Sequence, residues 1–150
     1  MGSRSLRSVP SRQRILERIG RLSPDSRPQW GTMGPTLLLP HLARGLRRAL
    51  GEIPTLAPPG GLGSALRRFL FVHVLPWPKG RLKAPHGAFD LKPGDWGSDR
   101  QQVVTLIERF ALAPAEQLGQ FHPSMGRMSY RDWDVLMYRH LDHHLRQFGV

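Results

Sequence analysis

The sequence predicts a single all-α domain built from four or five helices. Apolar residues recur at the i, i+3, i+4 spacing of a helical face in several segments, and no segment alternates with the period of a half-buried strand. A chain of 150 residues with 39% hydrophobic content can bury one core but not two. We therefore expect a four-helix bundle, with a short extra helix or an irregular segment between helices two and three.

The N-terminal region divides into a tail and a first helix. Residues 1–11 are rich in Ser and Arg and contain few large apolar side chains, so we expect a flexible basic tail. Residues 12–22 predict a helix, because Ile15 and Ile19 fall on one helical face with further apolar residues. The single bundle domain accordingly covers residues 12–150.

A second helix is predicted over residues 35–50. It begins with a proline, which suits the first helical turn, and Gly51 follows as a C-terminal cap. Residues 54–63 form a Pro- and Gly-rich connector. For residues 64–75 the periodicity leaves two alternatives open, a helix or an extended apolar run in the second half. Residues 80–97 are expected to be irregular.

Two further helices are predicted in the C-terminal half. Ser98 can cap a helix over residues 98–112, which a proline follows shortly after. Ser129 and Asp132 stand in the S-x-x-D relation of a capping box. The last helix therefore begins at Ser129 and runs to just before Gly149, where the chain can leave the helical conformation.

The charge of the chain points to anionic partners. Lys and Arg number 22 against 11 Asp and Glu, which gives a formal net charge of +11. Such a field attracts phosphates and other anions. The basic residues are scattered, however, and no block of like charge or aromatic-basic motif accompanies them. Nucleic-acid binding is therefore the third-ranked interpretation.

The absence of cysteine restricts the chemistry of any site. The chain can form no disulfide and no thiolate zinc site, and it has no cysteine nucleophile. No apolar stretch approaches the ~20 residues that span a bilayer, and no apolar run follows the first basic residues. We expect a cytoplasmic protein without a membrane partner.

The histidines suggest a metal site. His140 and His144 are one helical turn apart on the apolar stripe of the last helix, so their imidazoles can converge on one ion or satisfy core hydrogen bonds. A metal would satisfy the buried ring nitrogens of both. His41 on the second helix is the best third ligand. The other candidates are His73, His86 and His122, of which the last precedes a proline and is interpreted as part of a turn.

Three segments resemble a known family. The ending HPSMGRMSYRDWDVLMYRHLDHHLRQFG, the segment RPQWGTM before His41 and the segment PWPKG at residues 76–80 are similar to a branch of unknown function within the DinB-like superfamily. That superfamily includes the YfiT-type proteins, which are described as metal-dependent hydrolases. The resemblance covers roughly residues 12–150, and it is most specific in the last helix.

The resemblance implies a DinB-like four-helix bundle with one divalent metal ion. The second paired histidine of the family lies three residues before a Gln, as His144 does before Gln147, so the implied ligands are His41, His140 and His144. Some relatives transfer small thiols, and others are called hydrolases by analogy. The chain departs from the family pattern at Pro40, which we expect to kink the helix just before His41.

These observations lead to two main hypotheses about function. The first is a metal-dependent thiol transferase or hydrolase with three histidine ligands, zinc being favoured over nickel, iron and manganese. Its substrate would be a small anionic molecule or a low-molecular-weight thiol, received by Arg44 and Arg48. The alternative is a non-catalytic helical bundle that binds a metal or small molecule and forms a homodimer.

Overall fold

The computed structural model describes residues 4–56, 62–80 and 91–150. The longer helices are α1 (Val9–Arg21), α2 (Pro35–Ala49), α4 (Trp96–Leu112) and α5 (Tyr130–Gln147). The shorter helical elements are α3 (Leu62–Phe69), a π-helical turn (Leu70–Val74) and a 3-10 turn (Ala115–Gln117). The strands are β1 (Phe121–His122) and β2 (Gly126–Arg127). The two strands pair in an antiparallel hairpin, which is the only sheet in the described ranges. The predominance of helices in the described residues confirms the predicted all-α class.

One apolar core joins the four longer helices. Helix α2 packs against α4 and α5, and α1 contacts the same two helices. Fully buried side chains such as Ile15, Leu42, Phe110 and Trp133 come from all four of these helices. No helix in the described part of the chain is long and apolar enough to cross a membrane.

The N-terminal segment packs against the domain from Ser5 onward, which corrects the prediction of a flexible tail over residues 1–11 for its described part. Helix α1 begins at Val9, with a proline in its first turn. Leu6 is fully buried, and its backbone N–H donates to Asp134 Oδ1 at 2.9 Å. Ser5 Oγ donates to the other oxygen of the same carboxylate. A single buried leucine and a distant carboxylate thus fix a segment whose own composition predicts no order.

The two C-terminal helices differ in how well their starts were predicted. Helix α4 begins earlier than expected because Asp95, and not Ser98, is its N-cap; the Asp95 carboxylate accepts from the Ser98 N–H at 2.9 Å. Helix α5 begins as predicted, with both hydrogen bonds of the capping box between Ser129 and Asp132 in place.

The segment left open between helix and strand is helical. Residues 64–74 belong to α3 and the π-helical turn, which ends where the N–H of Leu75 donates to the carbonyl of Leu70 at 2.7 Å. Arg139 on α5 donates to the carbonyls of Phe71 and Val72 at 2.8 and 2.7 Å, and also to that of Leu75. The guanidinium thereby satisfies carbonyls that the end of a helix leaves without partners.

Candidate metal centre

Three imidazoles from two helices meet at one point. The Nε2 atom of His41 on α2 lies 2.9 Å from Nε2 of His140 and 3.1 Å from Nε2 of His144, both on α5. Their ligand atoms all lie within 4.8 Å of one another, a grouping that could hold a metal ion. The predicted convergence of these three histidines is confirmed. Helix α2 runs unbroken through Pro40, so the proline does not divert His41 from the cluster.

A glycine on α2 permits this approach. Gly45 lies one turn after His41, and a Cβ atom there would be 3.1 Å from both Cε1 and Nδ1 of His140. That distance is shorter than ordinary van der Waals contact, so a larger residue would push the imidazole away. The hydrogen side chain of Gly45 therefore sets how closely the His140 ring can lie against α2.

Gln147 fixes the tautomer of His144. The Gln147 Nε2 group donates to the carbonyl of Trp30 at 2.8 Å, which leaves its Oε1 facing Nδ1 of His144 at 2.8 Å. A carbonyl oxygen can only accept, so Nδ1 of His144 carries the proton. The lone pair of His144 consequently lies on Nε2 and points into the cluster. Such a partner on the other ring nitrogen is typical of metal-binding histidines.

Burial keeps the cluster neutral. Desolvation, reinforced by the charges of Arg44 and Arg48, lowers the pKa of His41 to about 4. Desolvation and the neighbouring His41 lower the pKa of His144 to about 3. The pKa of His140 is well below its usual value, because burial acts first and the other two imidazoles add to it. At neutral pH all three rings are in the state that binds a metal.

The two nitrogen–nitrogen distances from His41 fit a divalent ion. For metal–nitrogen bonds of about 2.1 Å, adjacent donors are about 3.0 Å apart at right angles and about 3.4 Å apart at the tetrahedral angle. The distances of 2.9 and 3.1 Å match donors at right angles, and the nitrogens would have to move apart only slightly to reach the tetrahedral spacing. Imidazole donors suit zinc and its neighbours among the first-row metals.

Two arginines on α2 add positive charge to the surroundings of His41. Both Arg44 and Arg48 contribute to lowering its pKa, so both guanidinium groups lie within electrostatic reach of the ring. Arg48 Nε is buried without a hydrogen-bond partner. The two arginines singled out from the sequence are thus beside the cluster, and a site with this charge favours an anion.

An aromatic rim flanks α5 beside the cluster. The ring of His143, which the sequence analysis did not count as a ligand, lies 5.9 Å from the ring of Trp30 and 5.6 Å from that of Trp77. The ring of Trp77 also lies 6.5 Å from His140, and Lys79 Nζ lies 4.9 Å from the centre of the Trp30 ring. The RPQWGTM and PWPKG segments therefore each contribute an indole to this rim.

The other candidate histidines lie elsewhere. His73 Nε2 is 2.8 Å from Asp132 Oδ1, next to the capping box of α5, and His86 lies outside the described residues. His122 belongs to the β1–β2 hairpin, in agreement with its interpretation as part of a turn, and its ring lies 5.8 Å from that of the buried Trp133. Desolvation and the charge of Arg48 lower its pKa to about 4. No spacing signal in the sequence connects His122 with Arg48.

Comparisons with protein-family models, with curated proteins and with solved structures found no match to this chain.

Proposed function

We propose that this chain is a DinB-like metal protein in which His41, His140 and His144 bind one divalent ion, zinc in preference to nickel, iron or manganese. The convergence of three neutral imidazoles from two helices is the observation that carries the proposal. The resemblance of the last helix to the DinB-like pattern supports the same ligand set.

We infer further that the protein is a transferase or hydrolase acting on a small anionic substrate. Three protein ligands leave coordination positions open, as in catalytic zinc sites. A divalent ion bound there lowers the pKa of a coordinated thiol or water toward neutrality. Among the described residues the cluster consists of imidazoles alone, and the chain has no cysteine, so in this proposal the nucleophile is a thiol or water from solution.

The surrounding residues have separate roles in this proposal. Gln147 holds His144 in the tautomer that presents Nε2 to the cluster. The positive charge of Arg44 and Arg48 attracts the anionic substrate to this end of α2. The indoles of Trp30 and Trp77 cover one side of the site with apolar surface, which reduces the access of water.

The metal site is tested with His140→Ala and His144→Ala. Each change removes one of three ligands, so we expect purified protein to lose nearly all bound metal in elemental analysis while far-UV circular dichroism keeps its helical signal. His143→Ala is the matched control, because His143 lies on the same helix and is outside the cluster. Full metal content in a folded His144→Ala protein would reject the ligand set.

The reaction is tested by assays of thiol transfer and ester hydrolysis with and without added zinc. In the transfer, the thiol loses its proton to solvent and forms a C–S bond as the leaving group departs from the acceptor. We expect turnover that depends on metal and is absent in both alanine variants. Metal binding without any turnover would favour the non-catalytic alternative.

A further inference from the structure

The buried Nε atom of Arg48 has no hydrogen-bond partner among the residues that the structure describes. Arg48 follows His41 by two helical turns on α2. Within the described ranges its side chain also forms no ion pair. By contrast, Arg18 pairs with Asp142 at 2.6 Å. A buried cationic donor without an acceptor costs free energy, and a bound anion would recover it.

The loop after α4 brings His122 to this end of α2. The N–H of Gly119 donates to the carbonyl of Ala49 at 2.9 Å, and a Cβ at Gly119 would lie only 2.7 Å from the carbonyl oxygen of Arg48. Strand β1 starts two residues later, and the ring of His122 lies 5.8 Å from that of Trp133. The close backbone contact at Gly119 thus fixes where His122 can lie relative to α2.

The electrostatic surroundings of this region are positive. Desolvation lowers the pKa of His122 and of His41, and the charge of Arg48 adds to the lowering at both. Desolvation lowers the pKa of Arg48, and the charge of Arg44 lowers it further. Among the residues that the structure describes, Arg44 is the charged group with this effect on Arg48. Glu52, close by at the end of α2, is engaged by Arg47 and Arg109. The region therefore favours an anion.

We propose that Arg48 and His122 form a subsite for one oxyanion group, a carboxylate or a phosphate ester, of the molecule on which the metal centre acts. Guanidinium groups bind such oxyanions with two parallel N–H donors, and an imidazole N–H can add a third. Seven residues of helix correspond to about 10 Å between His41 and Arg48. The anionic group is therefore several bonds away from the reacting atom of the ligand.

Reaction of the ligand at the metal centre rests on the proposed function, whereas binding of its oxyanion group by Arg48 and His122 does not. The test is therefore made on the metal-free full chain, with inorganic phosphate and succinate as probes in calorimetric titrations. About 0.15 M chloride screens the diffuse field of the basic surface. We expect at least one probe to bind, and comparison of the two identifies the oxyanion class.

Variants locate the binding. Arg48→Gln should weaken the affinity at least about tenfold, because a charge-assisted hydrogen bond is lost. Arg47→Gln is the matched control, since this exposed neighbour has the same charge and pairs with Glu52. His122→Phe keeps a ring against Trp133 and should also weaken binding. Circular dichroism verifies the fold of each variant.

The results separate this subsite from the metal site. The subsite would be overturned if Arg47→Gln and Arg48→Gln weakened the affinity for the probe equally. It would also be overturned if either Arg48→Gln or His122→Phe left that affinity unchanged, even if zinc still binds. Failure of both probes to bind the metal-free wild-type chain would also overturn it. Loss in Arg48→Gln and His122→Phe alone would support the subsite, even if the chain binds no metal.

Discussion

At the scale of single residues, the contact between α2 and the cluster depends on Gly45. Its missing side chain leaves the His140 ring room to lie against the α2 backbone. A glycine in a helix interior ordinarily lowers stability by about 1 kcal/mol relative to alanine. The close approach of the ring gives a reason for a glycine at a position where local propensity disfavours it.

Gly45→Ala is therefore predicted to weaken metal binding roughly tenfold, a typical effect of disturbing the surroundings of a ligand. The added Cβ would lie 3.1 Å from the His140 ring and displace it from the other two imidazoles. Metal affinity is measured by competition with a chromogenic chelator. Gly20→Ala is the control, because a Cβ there meets nothing within 4 Å. Unchanged affinity in Gly45→Ala would show that the ring position tolerates the shift.

At the scale of secondary-structure elements, Asp132 connects the start of α5 with the α3 region. Its Oδ2 accepts from the backbone and hydroxyl of Ser129 at 2.9 and 2.8 Å. The same carboxylate contacts His73 at 2.8 Å and Arg68 at 3.3 Å. Burial raises the pKa of Asp132, but the hydrogen bonds from His73 and Ser129 and the charge of Arg68 together outweigh it, so the pKa lies below its usual value. One side chain thus serves as a helix cap and as a tertiary link.

Asp132→Ala is predicted to lower the free energy of unfolding by roughly 2 kcal/mol or more, because it removes one half of the capping box and leaves His73 and Arg68 without their partner. Ser129→Ala, which removes the N-cap side chain but keeps the contacts to His73 and Arg68, should cost about 1 kcal/mol. Both are measured by urea denaturation monitored by circular dichroism. Asp95→Ala is the comparison, since that exposed cap lies at the start of another helix, and its loss should be smaller. Equal losses for Asp132→Ala and Ser129→Ala would show that the contacts to α3 do not stabilise the fold.

At the scale of the whole molecule, the buried histidines link stability to pH. The pKa values of His41 and His122 are about 4 in the folded protein, against about 6.5 for an ordinary histidine. Above pH 6.5 these groups are neutral in both states and have no effect. As the pH falls below 6.5, the unfolded chain binds protons that the folded chain does not, so the folded state loses stability until about pH 4.

The metal-free protein should therefore become less stable between pH 6.5 and pH 4, by up to about 1.4 kcal/mol per pH unit for each such histidine. Urea denaturation at a series of pH values in the presence of a chelator measures the slope. His122→Phe should reduce that slope by the share of one histidine. A stability that does not change across this range would contradict the burial of these imidazoles.

Features that depend on neighbours along the chain could be predicted from the residues alone. The capping box at Ser129, the helical phase of His140 and His144 and the bounds of α2 follow from contacts within about a turn, which local spacing encodes. The absence of cysteine likewise limits the possible metal ligands to imidazole and oxygen, because composition requires no knowledge of the fold. The place of His41 on the predicted second helix makes it the best third ligand, and the family resemblance implies the same residue, although spacing does not relate residues on different helices.

Which distant residues meet could be known only from the folded chain. Helix packing brings His41 to the α5 pair, the contact at Gly119 holds the loop before β1 against the end of α2, and Leu6 is buried against a chain segment more than 100 residues away. The cap of α4 is likewise Asp95, although the sequence analysis assigned it to Ser98. Such placements depend on how helices pack and where loops cross them, because burial and charge act between residues that are close in space, whatever their separation in sequence.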